Sequence, residues 1–215
     1  MSQNQEVVKR GRGRPPVRSE EETRRKLIEA AALEFQAKGF DAAGMEAIAQ
    51  RAEFSTRTIY QTVSTKTELF EMVVSDRIGR FMLTVDASVD DMLDPLDALT
   101  RMLIAYGNLT LSPEVIAITR LVISEGERFP EIAAAFHARA VERTNGLIEA
   151  WLVRQRDKGL IELSDATSAA GMLRGMMIMD PQRAVFMGRG KPPSAEEIVA
   201  RAKACAHLFL RGCQS

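Results

Sequence analysis

Three pairs in this chain set a hydroxyl residue three places before a glutamate ahead of an apolar helical stripe: Ser19 with Glu22, Thr65 with Glu68, and Ser194 with Glu197. In that spacing the hydroxyl accepts a backbone N–H of the first helical turn while the carboxylate reaches back, so each pair marks a helix start. Asp94-Pro95, Ser112-Pro113 and Pro130 mark further starts, because proline suits the first turn, where its missing N–H is not needed. Gly39, Gly126 and Lys158-Gly159 read as stops. No run of alternating β-branched residues reads as a strand. The spacing predicts an all-α chain of nine helices: about 19–39, 45–52, 56–62, a long one from 65, 94–111, 112–126, 130–157, 165–180 and 194–212. Pro181 is expected to end or kink the eighth.

A hydrophobic share of 46% in 215 residues is enough for a core. Net charge is zero but unevenly spread: residues 1–66 hold 12 basic and 9 acidic side chains, leaving 17 and 20 for the remainder. Lys9 to Arg18 contains five basic residues and no acid. Residues 1–18 are too poor in apolar groups, and too rich in glycine and proline, to fold alone, so they are expected to form a flexible basic arm. Cys205 and Cys213 lie eight residues apart on one helix, about 12 Å along its axis, too far to bridge. A reduced, cytoplasmic protein follows, with no export signal and no apolar run of membrane-spanning length. His137 and His207 have no Cys or carboxylate at metal-site spacing, so no metal or cofactor is expected.

Within Gly44–Lys66, Met45, Ile48 and Ala49 form one apolar helix face and Ile59 continues it beyond a turn. Thr56, Arg57, Thr58, Tyr60, Gln61 and Thr62 are left facing outward, a surface of hydroxyls, amide and guanidinium suited to phosphates and base edges of double-stranded DNA. Arg57 can pair with guanine in bidentate fashion or with an acid such as Glu53; Tyr60 can reach a phosphate or pack its ring. Lys66, in the first turn of the following helix, can clamp a phosphate with the backbone N–H groups there. Arg12-Gly13-Arg14-Pro15 looks like the core of an AT-hook lying in a narrow minor groove, or else is a solvated tail that attracts phosphates without selectivity.

Residues 24–69 resemble the DNA-binding domain of the TetR family of bacterial transcriptional regulators. The elements are Ala30-Ala31 and Phe35, the Gly39-Phe40 turn, Ile48-Ala49, the Ser55 cap, Thr58-Ile59-Tyr60, and Lys66 before Leu69. The family usually has Gly at position 53, His at 62, Phe at 63 and a hydroxyl at 44, where this chain has Glu53, Thr62, Val63 and Gly44. Residues 117–136 look like one recurrent TetR C-terminal domain. The resemblance implies a flexible arm (1–18), a three-helix helix-turn-helix domain (19–66), and a helical effector-binding and dimerisation domain (67–215). It implies a homodimer formed by the last two helices, whose small residues equally suit packing within one chain.

The resemblance further implies an effector pocket in the C-terminal domain. Met82, Met102, Tyr106, Phe136, Trp151, Met172 and Met176 are candidates to line it, with Arg120, Glu125, Arg174 or His137 as polar anchors. The same residues at helical spacing also suit an ordinary core. The expected function is a repressor released from its operator by a small apolar effector. An architectural DNA-binding protein is the alternative, and an all-α enzyme with an accessory DNA-binding segment a weaker one, since no nucleophile elbow, phosphate loop or metal cluster is present.

Overall fold

The computed structural model describes residues 19–88 and 94–213, and the side chains of all of these except 84–88. Arg12 and Arg14 lie outside the described residues. The elements in chain order are α1 (Glu20–Ala42), α2 (Met45–Ala52), α3 (Thr56–Thr62), α4 (Lys66–Ser88), α5 (Pro95–Thr110) and α6 (Pro113–Glu125). They are followed by α7 (Pro130–Phe136), a π-helical turn (His137–Val141), α8 (Glu142–Asp157), α9 (Ala166–Phe186) and α10 (Ala195–Gly212). Because α7, the π turn and α8 run on without a break, the described residues form the nine helices that the sequence predicts.

The caps are local and sit where the sequence places them. Ser194 accepts the Glu197 N–H at 3.2 Å while Glu197 takes the Ser194 N–H at 2.7 Å. At α4 the Thr65 hydroxyl accepts from Glu68 at 3.0 Å, but the Glu68 carboxylate reaches one residue further, to the Ser64 N–H at 2.7 Å. Gly39, with φ 78° and ψ 178°, breaks the helical path within α1.

Two cores share α4. The first joins α1, α2 and α3 to Leu69, Phe70, Val73 and Val74 of α4 and to Ile118, Leu121 and Ile132 from further along the chain. Phe35, Phe40, Phe70 and Phe129 meet in it ring to ring, with centroids 5.3–5.9 Å apart. The second begins at Phe81 and gathers α5, α8, α9 and α10 around Leu99, Met102, Trp151 and Leu173. Gly107 lets α5 approach closely: a side chain there would meet Met177 and Ile198 within 3 Å. Ala169, Ala170, Leu173, Met177, Ile198, Ala202 and Cys205 all turn into this core. The exposed large apolar residues of the last two helices are Met172, Met179 and Leu208.

Two local features depart from expectation. The helix opened by Pro130 contains the π turn, where the Thr144 hydroxyl donates to the Ala140 and Val141 carbonyls at 2.8 and 3.1 Å. Pro181 does not end α9, which continues to Phe186. Proline removes the N–H that the Met177 carbonyl would accept. Arg201 of α10 supplies donors instead, its Nε reaching the Met177 carbonyl at 2.8 Å and its Nη2 the Met176 carbonyl at 2.8 Å.

Candidate nucleic-acid interface and ligand cavity

Helix α3 is held at its start and along its inner face. Ser55 caps it, its hydroxyl accepting the Thr58 N–H at 3.1 Å and sharing a hydrogen bond with the Thr58 hydroxyl at 2.8 Å. Ile59 is fully buried and anchors the inner face. Thr58 and Thr62 are half-buried, and Thr62 donates its hydroxyl to the Thr58 carbonyl at 3.3 Å. Their hydroxyls therefore serve the helix itself. Arg57, Tyr60 and Gln61 stand exposed at i, i+3 and i+4, one face of one turn, with Thr56 half-buried beside them. Tyr60 is 54% exposed, so its ring does not pack inward.

Arg57 forms no ion pair among the described residues. Glu53 instead lies 3.3 Å from Lys26. In the turn between α2 and α3, Glu53 adopts φ 60° and ψ 38°, and its N–H bonds back to Ala49 and Gln50. The left-handed geometry that glycine usually supplies is thus kept without it.

Lys66 has partners within the fold. Its ammonium donates to the carbonyls of Asp41 and Ala43 at 3.0 and 3.1 Å and sits 4.8 Å from the centre of the Phe40 ring. With two of three N–H bonds spent on carbonyls left over at the end of α1, it holds α1 to α4 and has one N–H left over.

The end of α1 has a second partner. Glu125, the last residue of α6, accepts the Phe40 N–H with one carboxylate oxygen at 3.1 Å and the Asp41 N–H with the other at 3.0 Å. Arg128 pairs with Asp41 at 2.7 Å, and Phe129 meets Phe40. Glu125, offered by the sequence as an anchor for a ligand, instead joins α6 to the helix-turn-helix region.

A cavity of about 360 Å³ opens among α4, α5, α6, the π turn, α8 and α9. Ile78, Tyr106, Leu109, Val115, Phe136, Val141 and Ile178 supply apolar walls, and Thr110, Thr119, Thr144, Asn145, Arg174 and Gln182 the polar groups. Of the residues offered as pocket lining, Tyr106, Phe136 and Arg174 line this cavity, while the others stand elsewhere. Met102 and Trp151 are fully buried in the second core, and Met82 and Met176 pack half-buried on it. Met172 is 67% exposed. His137 is exposed, its Nδ1 3.3 Å from Glu142. Arg120 donates to the Val185 carbonyl at 3.1 Å and lies over the Phe186 ring. The threonines and Asn145 were missed because only the three-dimensional meeting of five helices marks them as lining.

Among the described residues no group of three or more His, Cys, Asp or Glu is placed to hold a metal ion. Burial pushes the thiols of Cys205 and Cys213 up, the direction opposite to that of a reactive thiolate. No single described helix is long and apolar enough to cross a membrane.

The family model for bacterial regulatory proteins of the tetR family matches residues 27–73, and that for the C-terminal domain of AefR-like transcriptional repressors matches residues 97–212. The second alone covers more than half of the chain. The chain belongs to the TetR family. This TetR-family member is a DNA-binding transcriptional regulator, and α2, the turn at Glu53 and α3 are its helix-turn-helix. No curated protein matches its sequence. Among solved structures it is similar in fold to a protein described as a TetR-family transcriptional regulator from Mesorhizobium loti MAFF303099, at 23% identity and a TM-score of 0.80, covering 92% of this chain and 100% of that one. The flavonoid-responsive regulator FrrA matches at 24% identity and a TM-score of 0.69, over 89% and 97% of the two chains. The regulator FadR from Bacillus subtilis, in complex with stearoyl-CoA, matches at 16% identity and a TM-score of 0.70, over 88% and 99%. For this TetR-family chain those likenesses speak to the fold.

Proposed function

We propose that this protein is a homodimeric repressor that reads its operator with α3 and leaves it when a small, largely apolar effector fills the cavity between α5, α6, α8 and α9. The observation that carries the reading is the unpaired, exposed face of α3. Arg57, Tyr60 and Gln61 project from a helix otherwise fixed by Ser55 and Ile59. In this docking mode the N-terminal part of the recognition helix meets base edges, so Thr56, Arg57 and Gln61 read bases and Tyr60 touches the backbone. Arg12 and Arg14 of the arm are proposed to add minor-groove contacts. The functional division is proposed as an arm at 1–18, a DNA-binding domain at 19–66 and an effector and dimer domain at 67–215, acting in the cytoplasm and catalysing nothing.

A single α3 reads only a few base pairs, whereas a two-fold dimer places two of them in successive major grooves. Met172 and Met179 on α9 and Leu208 on α10 are 67%, 60% and 65% exposed, an apolar face that suits a second copy of the chain. For the effector, support comes from the cavity and from two of the similar structures, one named as flavonoid-responsive and one holding stearoyl-CoA.

Release requires the effector to bind the DNA-free state more tightly, since only differential affinity shifts a population. Two helices reach both places. Helix α4 starts beside α3 and carries Ile78 to the cavity; α6 carries Val115 and Thr119 in the cavity wall and Glu125 at the end of α1. An effector that pushes on either helix therefore moves the recognition helix. Sedimentation of the wild type against Met172→Glu and Leu208→Glu, with operator binding followed during a screen of small apolar molecules, tests both halves. A monomeric wild type bound to operator, or operator affinity unmoved by any cavity ligand, would leave an architectural DNA-binding role.

A further inference from the structure

Among the described residues the cavity wall contains one full charge, Arg174, and no carboxylate. Its guanidinium makes a single hydrogen bond among the described residues, from Nε to the Ala170 carbonyl at 3.2 Å, and has no acidic partner there. Four N–H donors are left over. The Tyr106 hydroxyl, on α5 and within electrostatic reach of Arg174, also has no hydrogen-bond partner among the described residues, though the residue is only 5% exposed. Burial pushes this phenol up to about 12, against the pull of the nearby Arg174 charge, so it keeps its proton at neutral pH and stands as a donor.

The remaining hydroxyls do not compete for that role. Thr110, Thr119 and Thr144 each donate to the carbonyl four residues before, at 2.7, 2.7 and 2.8 Å, and present only lone pairs to the cavity. Asn145 and Gln182 are neutral amides. The polar side of the cavity thus has an excess of donors and one uncompensated positive charge, set among Ile78, Leu109, Val115, Phe136 and Ile178.

We propose that the cavity binds an amphipathic carboxylic acid, its carboxylate received between the Arg174 guanidinium and the Tyr106 hydroxyl and its hydrocarbon body lying along the apolar wall. Charge-assisted, bidentate pairing is what a guanidinium does best with a carboxylate, and it is stronger where the surroundings are apolar. A cationic amphiphile would meet Arg174 with like charge, and a neutral one would leave the guanidinium unpaired. At the roughly 30 Å³ that one water occupies in the liquid, 360 Å³ holds about a dozen heavy atoms. That is the size of a medium-chain fatty acid or a short aryl-alkanoic acid. The assignment rests on the cavity being the effector site, so the test separates the two.

Decanoate and 1-decanol are titrated calorimetrically into wild type, Arg174→Met, Tyr106→Phe and Gly175→Phe, with operator binding measured in parallel. Gly175 lies in the wall and a Cβ there meets nothing within 4 Å, so a phenyl side chain is introduced at this position to occupy the cavity. All variants should bind operator in the absence of ligand as wild type does, which shows that they are folded. Decanoate should bind wild type at least tenfold more tightly than decanol and release operator. Arg174→Met should erase that preference by weakening the acid alone, Tyr106→Phe should weaken it several-fold, and Gly175→Phe should abolish binding of both. Equal affinity for acid and alcohol, unchanged in Arg174→Met yet lost in Gly175→Phe, overturns the anion pairing and leaves the cavity as the effector site. Binding that persists in Gly175→Phe overturns the site itself, and no binding of either probe overturns the carboxylic acid.

Discussion

The carboxylate of Glu125 occupies the place where a side chain on Gly39 would begin. Gly39 is held at φ 78° and ψ 178°, a conformation essentially restricted to glycine, and that geometry aims the N–H groups of Phe40 and Asp41 at the two oxygens of Glu125. The glycine therefore serves both as a turn and as a seat for a residue 86 positions later, and it ties the end of α1 to the end of α6.

Gly39→Ala should destabilise the protein by about 2–4 kcal/mol, from backbone strain together with displacement of the carboxylate. Glu125→Ala should cost about 2 kcal/mol by leaving two N–H groups without their acceptor. Urea unfolding measures both. The same Glu125→Ala protein should show weakened coupling between cavity ligand and operator, because one of the two links between them is cut.

Lys66 and Arg57 are both cations beside the recognition helix, and they should behave differently. Lys66→Met should lower stability by about 1–2 kcal/mol, through loss of the Asp41 and Ala43 carbonyl bonds, while leaving the salt dependence of operator binding nearly unchanged. Arg57→Ala should leave stability within about 0.5 kcal/mol and cost about 1–3 kcal/mol of operator affinity, with relaxed preference at one base pair. Fluorescence anisotropy at several salt concentrations distinguishes them.

Pro181 and Arg201 should be coupled. Arg201→Ala leaves the Met176 and Met177 carbonyls without these donors and should destabilise by about 2 kcal/mol. In a Pro181→Ala background the backbone N–H returns to Met177, so the same change should cost at least about 1 kcal/mol less. A double-mutant cycle by thermal unfolding gives the coupling directly; additive effects would mean that Arg201 does not replace the missing N–H.

Glu34 should shape the acid limb of stability. It is buried, 2.7 Å from Lys38 and 3.2 Å from Arg51, and the Lys38 bond in particular holds its carboxyl below the usual glutamate range in spite of burial. A carboxylate depressed in the folded state contributes stability above its unfolded value of 4.5 and loses it as pH falls through the lower folded value. Glu34→Gln should therefore be less stable than wild type at pH 7 and converge on it in acid, as read by unfolding from pH 7 to 3.

What the sequence made legible were features that act within a few residues. Caps such as Ser55 and Ser194, the stop at Gly39 and the buried stripe ending in Ile59 place the helices and α3 within the chain. The long-range partners were hidden. Pro181 reads as an end or a kink because the donor that serves the freed carbonyl of α9, Arg201, comes twenty residues later. Lys66 reads as a free cation because its acceptors are backbone carbonyls 25 and 23 residues earlier. Met102 and Trp151 share the helical periodicity of Tyr106 and Phe136, and only the packing of α5 and α8 on their neighbours separates core from cavity. The π turn has no composition that distinguishes it from the α-helix on either side.

The most direct test of the central reading is footprinting of wild type and Arg57→Ala on DNA upstream of the protein's own gene. A DNA-reading α3 in a two-fold dimer predicts protection of two half-sites one helical turn apart, with the Arg57→Ala protein folded but leaving them open at the same concentration. A wild type that protects nothing, or an Arg57→Ala protein that protects the same bases equally well, would contradict it.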